Sequence, residues 1–273
     1  TQSSTPLNAN LSTPSSSVAS CYRCTPGYEW HLSANVSNST DYVHAAGRDQ
    51  WVIQDSNYGL RASTALTGTC VRNSSPIASQ FSAAVSQPVN VGRIDYDALE
   101  VGLVKRFEKN YSYRVSYTLG YSRGNTTGAG APTSGFQLLD DLRLDLNQGP
   151  TNVDRRHNLV ISGQSILPHT GGISFSWVAR ALSGSPISLI DSNTDADRNG
   201  VFQEPLAAGS YSGTGANPFT VENENRRNGA VGPGFFELDL RGGYTFRLPQ
   251  ARTLNLFVDV FNVTNRANFN NPT

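Results

Sequence analysis

Between Tyr111 and Tyr121 the chain alternates without a break. Tyr111, Tyr113, Val115, Tyr117, Leu119 and Tyr121 take the odd positions; Ser112, Arg114, Ser116, Thr118 and Gly120 take the even ones. Successive side chains of a strand point to opposite faces, so the segment predicts a strand with one aromatic, apolar face and one wet face. Its eleven residues are about twice the usual soluble strand and match a tilted strand that crosses a bilayer.

Composition narrows the classes. The 273 residues are 37% apolar and 15% charged, with a formal net charge of zero. That length fits one large or two small domains. The balanced charge lacks the basic footprint of a nucleic-acid binder, so no nucleic-acid partner is expected. No run of about 18 apolar residues occurs, which excludes a membrane helix. A strand barrel is compatible, because alternation averages to a polar hydropathy. Without a signal peptide or an initial Met, the chain reads as a mature or excised piece.

The same alternation recurs downstream. Strands are predicted near 93–107, 111–122, 156–167, 173–182, 235–248 and 253–263. Their apolar faces carry, in turn, Leu99 to Leu103, Tyr111 to Tyr121, Leu159 and Ile161, Phe175 and Trp177, Leu238 to Phe246, and Leu254 to Val260. Short connections at Glu108–Asn110, Pro168–Gly172 and Pro249–Arg252 alternate with long polar ones over 122–155 and 183–234. Structureless loops of that length are rare in soluble sandwiches. Outer-membrane barrels pair short periplasmic turns on one rim with long extracellular loops on the other. The expected fold is all-β: an antiparallel up-and-down meander, part of a transmembrane β-barrel. Residues 93–273 would form its hairpins. Residues 1–27, rich in Ser, Thr, Asn and Pro, read as a polar linker or loop. Residues 28–92 read as strands and loops, with strand-like pieces at Tyr28–Val36, Gln50–Asp55 and Phe81–Val85. The alternative is a secreted β-sandwich or solenoid that binds, or cleaves, glycans. It would bury Tyr113, Tyr117 and Phe246 between two sheets.

An ordered set of segments resembles the C-terminal half of TonB-dependent outer-membrane receptors, the type with a carboxypeptidase-regulatory-like N-terminal domain. The set comprises Tyr96-Asp-Ala-Leu-Glu-Val-Gly-Leu-Val-Lys-Arg-Phe107, Tyr113–Ser122, Asp154-Arg-Arg-His-Asn-Leu159, Leu167-Pro168 and Ser183-Gly-Ser-Pro186. It continues with Asp195-Ala-Asp-Arg-Asn-Gly200, Arg226-Arg-Asn228, Asp239-Leu-Arg241 and Phe261-Asn-Val-Thr-Asn-Arg-Ala-Asn-Phe269. The resemblance covers about 93–273. It implies a 22-stranded barrel with an N-terminal plug, in the bacterial outer membrane, importing a scarce nutrient with TonB energy. Expected partners are therefore outer-membrane lipid, the remainder of the barrel and its plug, TonB through that plug, and a small ligand held partly by the long loops. The chain departs from this pattern in carrying no plug and too few strands, and in stopping before a final strand.

Chemistry-bearing residues are few. Asp191, Asn193, Asp195, Asp197 and Asn199 place an oxygen ligand at every second position, a spacing that can wrap a hard cation such as calcium. The EF-hand Gly is Ala196 here and the twelfth position is Phe202, so an acidic, solvated loop of Asx turns is the other reading. Asp140, Asp141 and Asp145 could face one another as glycosidase acids, but their setting suggests an ordered stretch within a loop. His157 lacks a nucleophile on a suitable turn and reads as a polar rim residue. Gly124, Gly128 and Gly130 lack a strand-loop-helix setting for phosphate. No catalytic or cofactor-binding residue is expected. Cys21-Tyr-Arg-Cys24 lacks a second ligand pair for zinc; with Cys70 it predicts a loop disulfide or inert thiols. Trp30, Trp51 and Trp177 fit either an interfacial belt or a sugar-stacking surface.

Overall fold

The structure, a computed structural model, describes residues 9–10, 18–60, 71, 77–78, 80–81, 83–126, 139–140, 142–214 and 218–269. Nine strands carry the architecture: β1 (Ser20–Cys24), β2 (Gly27–Ser33), β3 (Val36–Asp55), β4 (Val85–Glu108), β5 (Tyr111–Gly124), β6 (His157–Ile166), β7 (Ile173–Leu182), β8 (Phe235–Leu248) and β9 (Arg252–Val260). With two short pieces, Ala9–Asn10 and Gly149–Pro150, they form one 11-stranded sheet. From β9 back to β3 every strand pairs antiparallel with its sequence neighbour, and β1 and β2 both pair with β3. The meander is therefore up-and-down. Among the described residues the sheet does not close.

Local chemistry sets the turns. Lys109 and Asn110 both have positive φ, at 53° and 71°, which is the two-residue hairpin turn whose twist suits the flanking strands. Gln250 and Ala251 repeat it, at 63° and 58°. Together with Ala34–Asn35 and Leu167–Gly172, these turns share one rim. The strand ends joined by 56–84, 125–156 and 183–234 lie toward the other.

Register sorts the side chains into two faces. On one, Leu103 faces Val115, Val115 faces Ile161, Ile161 faces Ala179, and Ala179 faces Leu238. On the other, Ser116 faces Val160 and Gly102, and Gln164 faces Ser176. The polar face also carries Arg241, bidentate to Asp259 at 2.5 and 2.9 Å, and Arg180 with Glu237 at 3.7 Å. Those pairs are solvated and add little stability. No second sheet covers the apolar face among the described residues; Phe246, Leu256 and Val258 stand exposed there. A two-sheet soluble core around Tyr113, Tyr117 and Phe246 is therefore not what forms.

Two polar boundaries bracket the apolar face. At the short-turn rim Lys105 is only 7% exposed. Its ammonium donates to the carbonyls of Arg106, Glu108 and Tyr111 and lies 3.9 Å from the Tyr111 ring centroid. At the long-loop rim Asp97 accepts from Tyr42 Oη at 2.6 Å and sits 2.8 Å from His44 Nδ1. Positions 97 and 105 lie about 27 Å apart along a strand, and Leu99, Val101 and Leu103 between them are apolar. Aromatic residues flank both boundaries: Trp30, Tyr111 and Phe175 below, Tyr22, Tyr42 and Tyr121 above. Trp30 and Trp177 thus belong to the apolar face, whereas Trp51 lies beyond it.

Residues 1–92 differ from their sequence reading. Ser20–Cys24 is a strand, not linker, and Ala9–Asn10 pairs in parallel with Val85–Ser86. Gln50–Asp55 is strand, as expected, but as the end of a 20-residue β3, and Val85 rather than Phe81 opens the 24-residue β4. Both exceed a membrane crossing about twofold. Among the described residues β3 has no outer neighbour beyond Arg48, β4 beyond Ile94 has only Ala9–Asn10 at its far end, and the ribbon bulges between Gly47 and Gln50. Cys21 and Cys24 are exposed and free. They face Gly47 and His44, three positions apart along the strand, so they point to opposite faces and form no disulfide. Cys70 lies outside the described residues.

Candidate functional site

The candidate residues gather at the long-loop rim, where the strands stop and irregular backbone begins. Two of the long connections lock together there. Arg227 is buried and donates from Nη1 to Asn147 O at 3.1 Å. Burial pushes its guanidinium down to about 10. Asn228 donates to Pro150 O at 2.7 Å and to Asn152 Oδ1 at 2.8 Å. Asn199 Nδ2 reaches Leu139 O at 3.1 Å. Buried polar groups satisfied in this way fix a loop's position. The segment 183–234 adds short pairings of its own: Pro186–Ile187 with Ala230–Val231, Ile190–Asp191 with Glu204–Pro205, and Gly209–Ser212 with Thr220–Asn223.

The five oxygen ligands expected for calcium do not converge as a set. Asp191 folds onto its own turn, accepting from Asn193 N at 2.8 Å and Thr194 Oγ1 at 2.5 Å. The Thr194 hydroxyl holds its carboxyl below the usual range. Asn199 is committed to Leu139 and to Asp197. Only Asp195 and Asp197 meet, and Glu204 joins them: ligand atoms of the three lie within 4.8 Å of one another. Asp195 is fully buried and accepts from Gly200 N at 2.9 Å. Burial, then the charge of Asp197, pushes Glu204 up to about 7. Burial also raises Asp197, with the charges of Asp140 and Asp195 adding to it. Sequence spacing missed Glu204 because the β-pairing that places it opposite Asp191 spans twelve intervening residues of irregular loop.

The remaining candidates are structural. Asp140 is buried and accepts from the backbone of Leu142 and Arg143 at 2.6 and 2.9 Å. Asp145 pairs with Arg143 at the surface, and Asp141 lies outside the described residues. His157 Nδ1 lies 2.9 Å from Tyr117 Oη on the apolar face, close to the upper aromatic belt. Gly124 ends β5; Gly128 and Gly130 lie outside the described residues.

Comparison with known proteins accords with this architecture. Residues 2–273 match the family model described as an outer membrane beta barrel domain. The structure is similar to the outer membrane transporter YddB from Escherichia coli, with a TM-score of 0.51 at 11% identity. The likeness covers 95% of this chain and 31% of that one, so this chain spans about a third of the transporter's length. At that identity it shows the fold alone. No curated protein matches the sequence.

Proposed function

Since the chain belongs to the outer membrane beta-barrel domain family, we propose that it forms part of the wall of a TonB-dependent receptor that imports a small nutrient, its long loops supplying ligand contacts. It resides in the bacterial outer membrane, with its apolar face in lipid, and it is not an enzyme. The observation that carries the transport reading is the long rim. The described parts of the two long loops, 142–156 with 183–214 and 218–234, form a jointly folded layer above the strands, held by Arg227 and Asn228. A pre-organised layer of this kind suits ligand capture, since ordering costs are met before binding. The ordered resemblance over 93–273 supports the TonB-dependent type. In this reading the polar face meets a plug and the rest of a larger barrel, and TonB acts through that plug. The calcium reading narrows to Asp195, Asp197 and Glu204, where a cation would neutralise three carboxylates and stiffen the loop.

The test is genetic and biochemical. Cells lacking the gene should lose uptake of one nutrient from a panel of scarce ones, and loss of TonB should give the same defect. The protein should require detergent for extraction. A protein recovered soluble and monomeric from the aqueous fraction, or an uptake defect indifferent to TonB, would sink the reading.

A further inference from the structure

An apolar cavity of about 540 Å³ opens in the 183–234 layer, with Phe269 beyond β9 also lining it. Beside it lies a small buried cluster of Ile187, Val221 and Ala230, packed by Leu189 and Tyr211. Leu206 and Phe219 line it as well. Well-packed interiors leave few voids larger than a water molecule. This volume lies instead within the ~300–1,000 Å³ range of small-molecule sites.

The walls are preformed and chemically mute. Tyr211 pairs with Val221 across the Gly209–Ser212 hairpin, and Asn223 Nδ2 ties the hairpin to Leu206 O and Ala207 O at 2.8 and 3.0 Å. The polar wall groups already have partners: Tyr211 Oη donates to Ala207 O at 3.0 Å, and Ser212 Oγ lies 2.7 Å from Thr220 Oγ1. Among the described residues no charged side chain lines the space. A polar or ionic occupant would lose its hydration without recompense, whereas an uncharged hydrocarbon surface would lose nothing on entering.

We propose that this cavity binds the uncharged aromatic or alkyl body of a small molecule captured at the outer rim. It deepens the transport reading and rests on it for the ligand's onward path. The experiment uses the intact protein in phospholipid nanodiscs and a naphthalene probe carrying a photoreactive diazirine, with cross-links mapped by mass spectrometry. Saturable labelling is expected at residues 187–233 and 269, displaced by unlabelled naphthalene. Phe219→Ser with Phe269→Ser, two side chains 46% and 72% exposed, should weaken apparent affinity about tenfold or more. Hydrogen exchange at the Tyr211 and Val221 amides checks that the hairpin persists in this variant. The parent protein decides on its own: labelling confined to lipid-facing strands, or rising without saturation, overturns the proposal. So does equal saturation in an intact variant. Because the readout needs neither TonB nor transport, a filled cavity in a protein without uptake would leave this proposal standing and remove the other.

Discussion

Trp177 occupies the space that any side chain on Gly163 would need: a methyl group there would come 2.8 Å from Trp177 Cε2. The two are cross-strand partners on the apolar face. A glycine in a strand interior weakens the strand unless a close approach requires it, and here the indole is that requirement.

Gly163→Ala should therefore displace Trp177 and cost about 1–3 kcal/mol, the usual range for overpacking. Gly242→Ala is the control, since nothing lies within 4 Å of a methyl there. Denaturant titration of the assembled protein, followed by its heat-dependent gel mobility, gives the comparison. Equal midpoints for the two variants would show that the indole does not depend on Gly163.

Val115 and Ser116 are neighbours on opposite faces. Val115 sits among Leu103 and Ile161, and Ser116 among Gly102 and Val160 on the solvated side. Val115→Arg should cost roughly 1–3 kcal/mol of assembly, between the penalties for a cation at the interface and at the bilayer midplane, since its partner Leu103 lies two residues inside Lys105. Ser116→Arg should assemble like the parent. The fraction folded into outer-membrane vesicles reads both. The reverse order would assign lipid to the wrong face.

The Tyr111–Tyr121 face was legible because its period of two is unbroken and its odd positions are large. β3 was not. Val36-Ser-Asn-Ser-Thr-Asp41 is polar on both faces, and its strand rests on backbone pairing with β4 rather than on any alternation. Ser20–Cys24 escaped notice for the same reason, as an edge piece set off by Pro26. At the rim, Asp195 and Asp197 were visible as a spacing of two. Glu204 and Arg227 were not, since irregular loops carry no period and their partners lie far off in sequence. Asn147, for example, stands 80 positions from Arg227.

The joint between the two loops can be tested at Asn228. Its φ is +51°, so Asn228→Gly removes the amide without straining the backbone. That leaves the buried Pro150 O without its donor, at a cost of about 1–3 kcal/mol, and releases the exposed Asn152 side chain at little cost. Hydrogen exchange should accelerate at 142–152 and 185–189, with the strands unchanged. Uniform protection in the variant would mean that the loops hold together by other means.

Glu204 links the rim to pH. Its carboxyl ordinarily titrates near 4.5 and is pushed up to about 7 in the folded loop, chiefly by burial. A raised folded value means that the folded loop binds the proton more tightly than the unfolded chain does. The stabilisation is complete below about 4.5 and is lost as pH climbs through 7. Exchange at 190–205 should therefore quicken between pH 5 and 8, after correction for the intrinsic rate. Glu204→Gln, neutral throughout, should flatten that profile. In the calcium reading the cation takes over the proton's role: millimolar Ca²⁺ at pH 8 should restore protection in the parent but not in Asp195→Ala. A flat parent profile would refute the shift, and a steep profile untouched by Ca²⁺ would leave the proton as the only ligand of the three carboxylates.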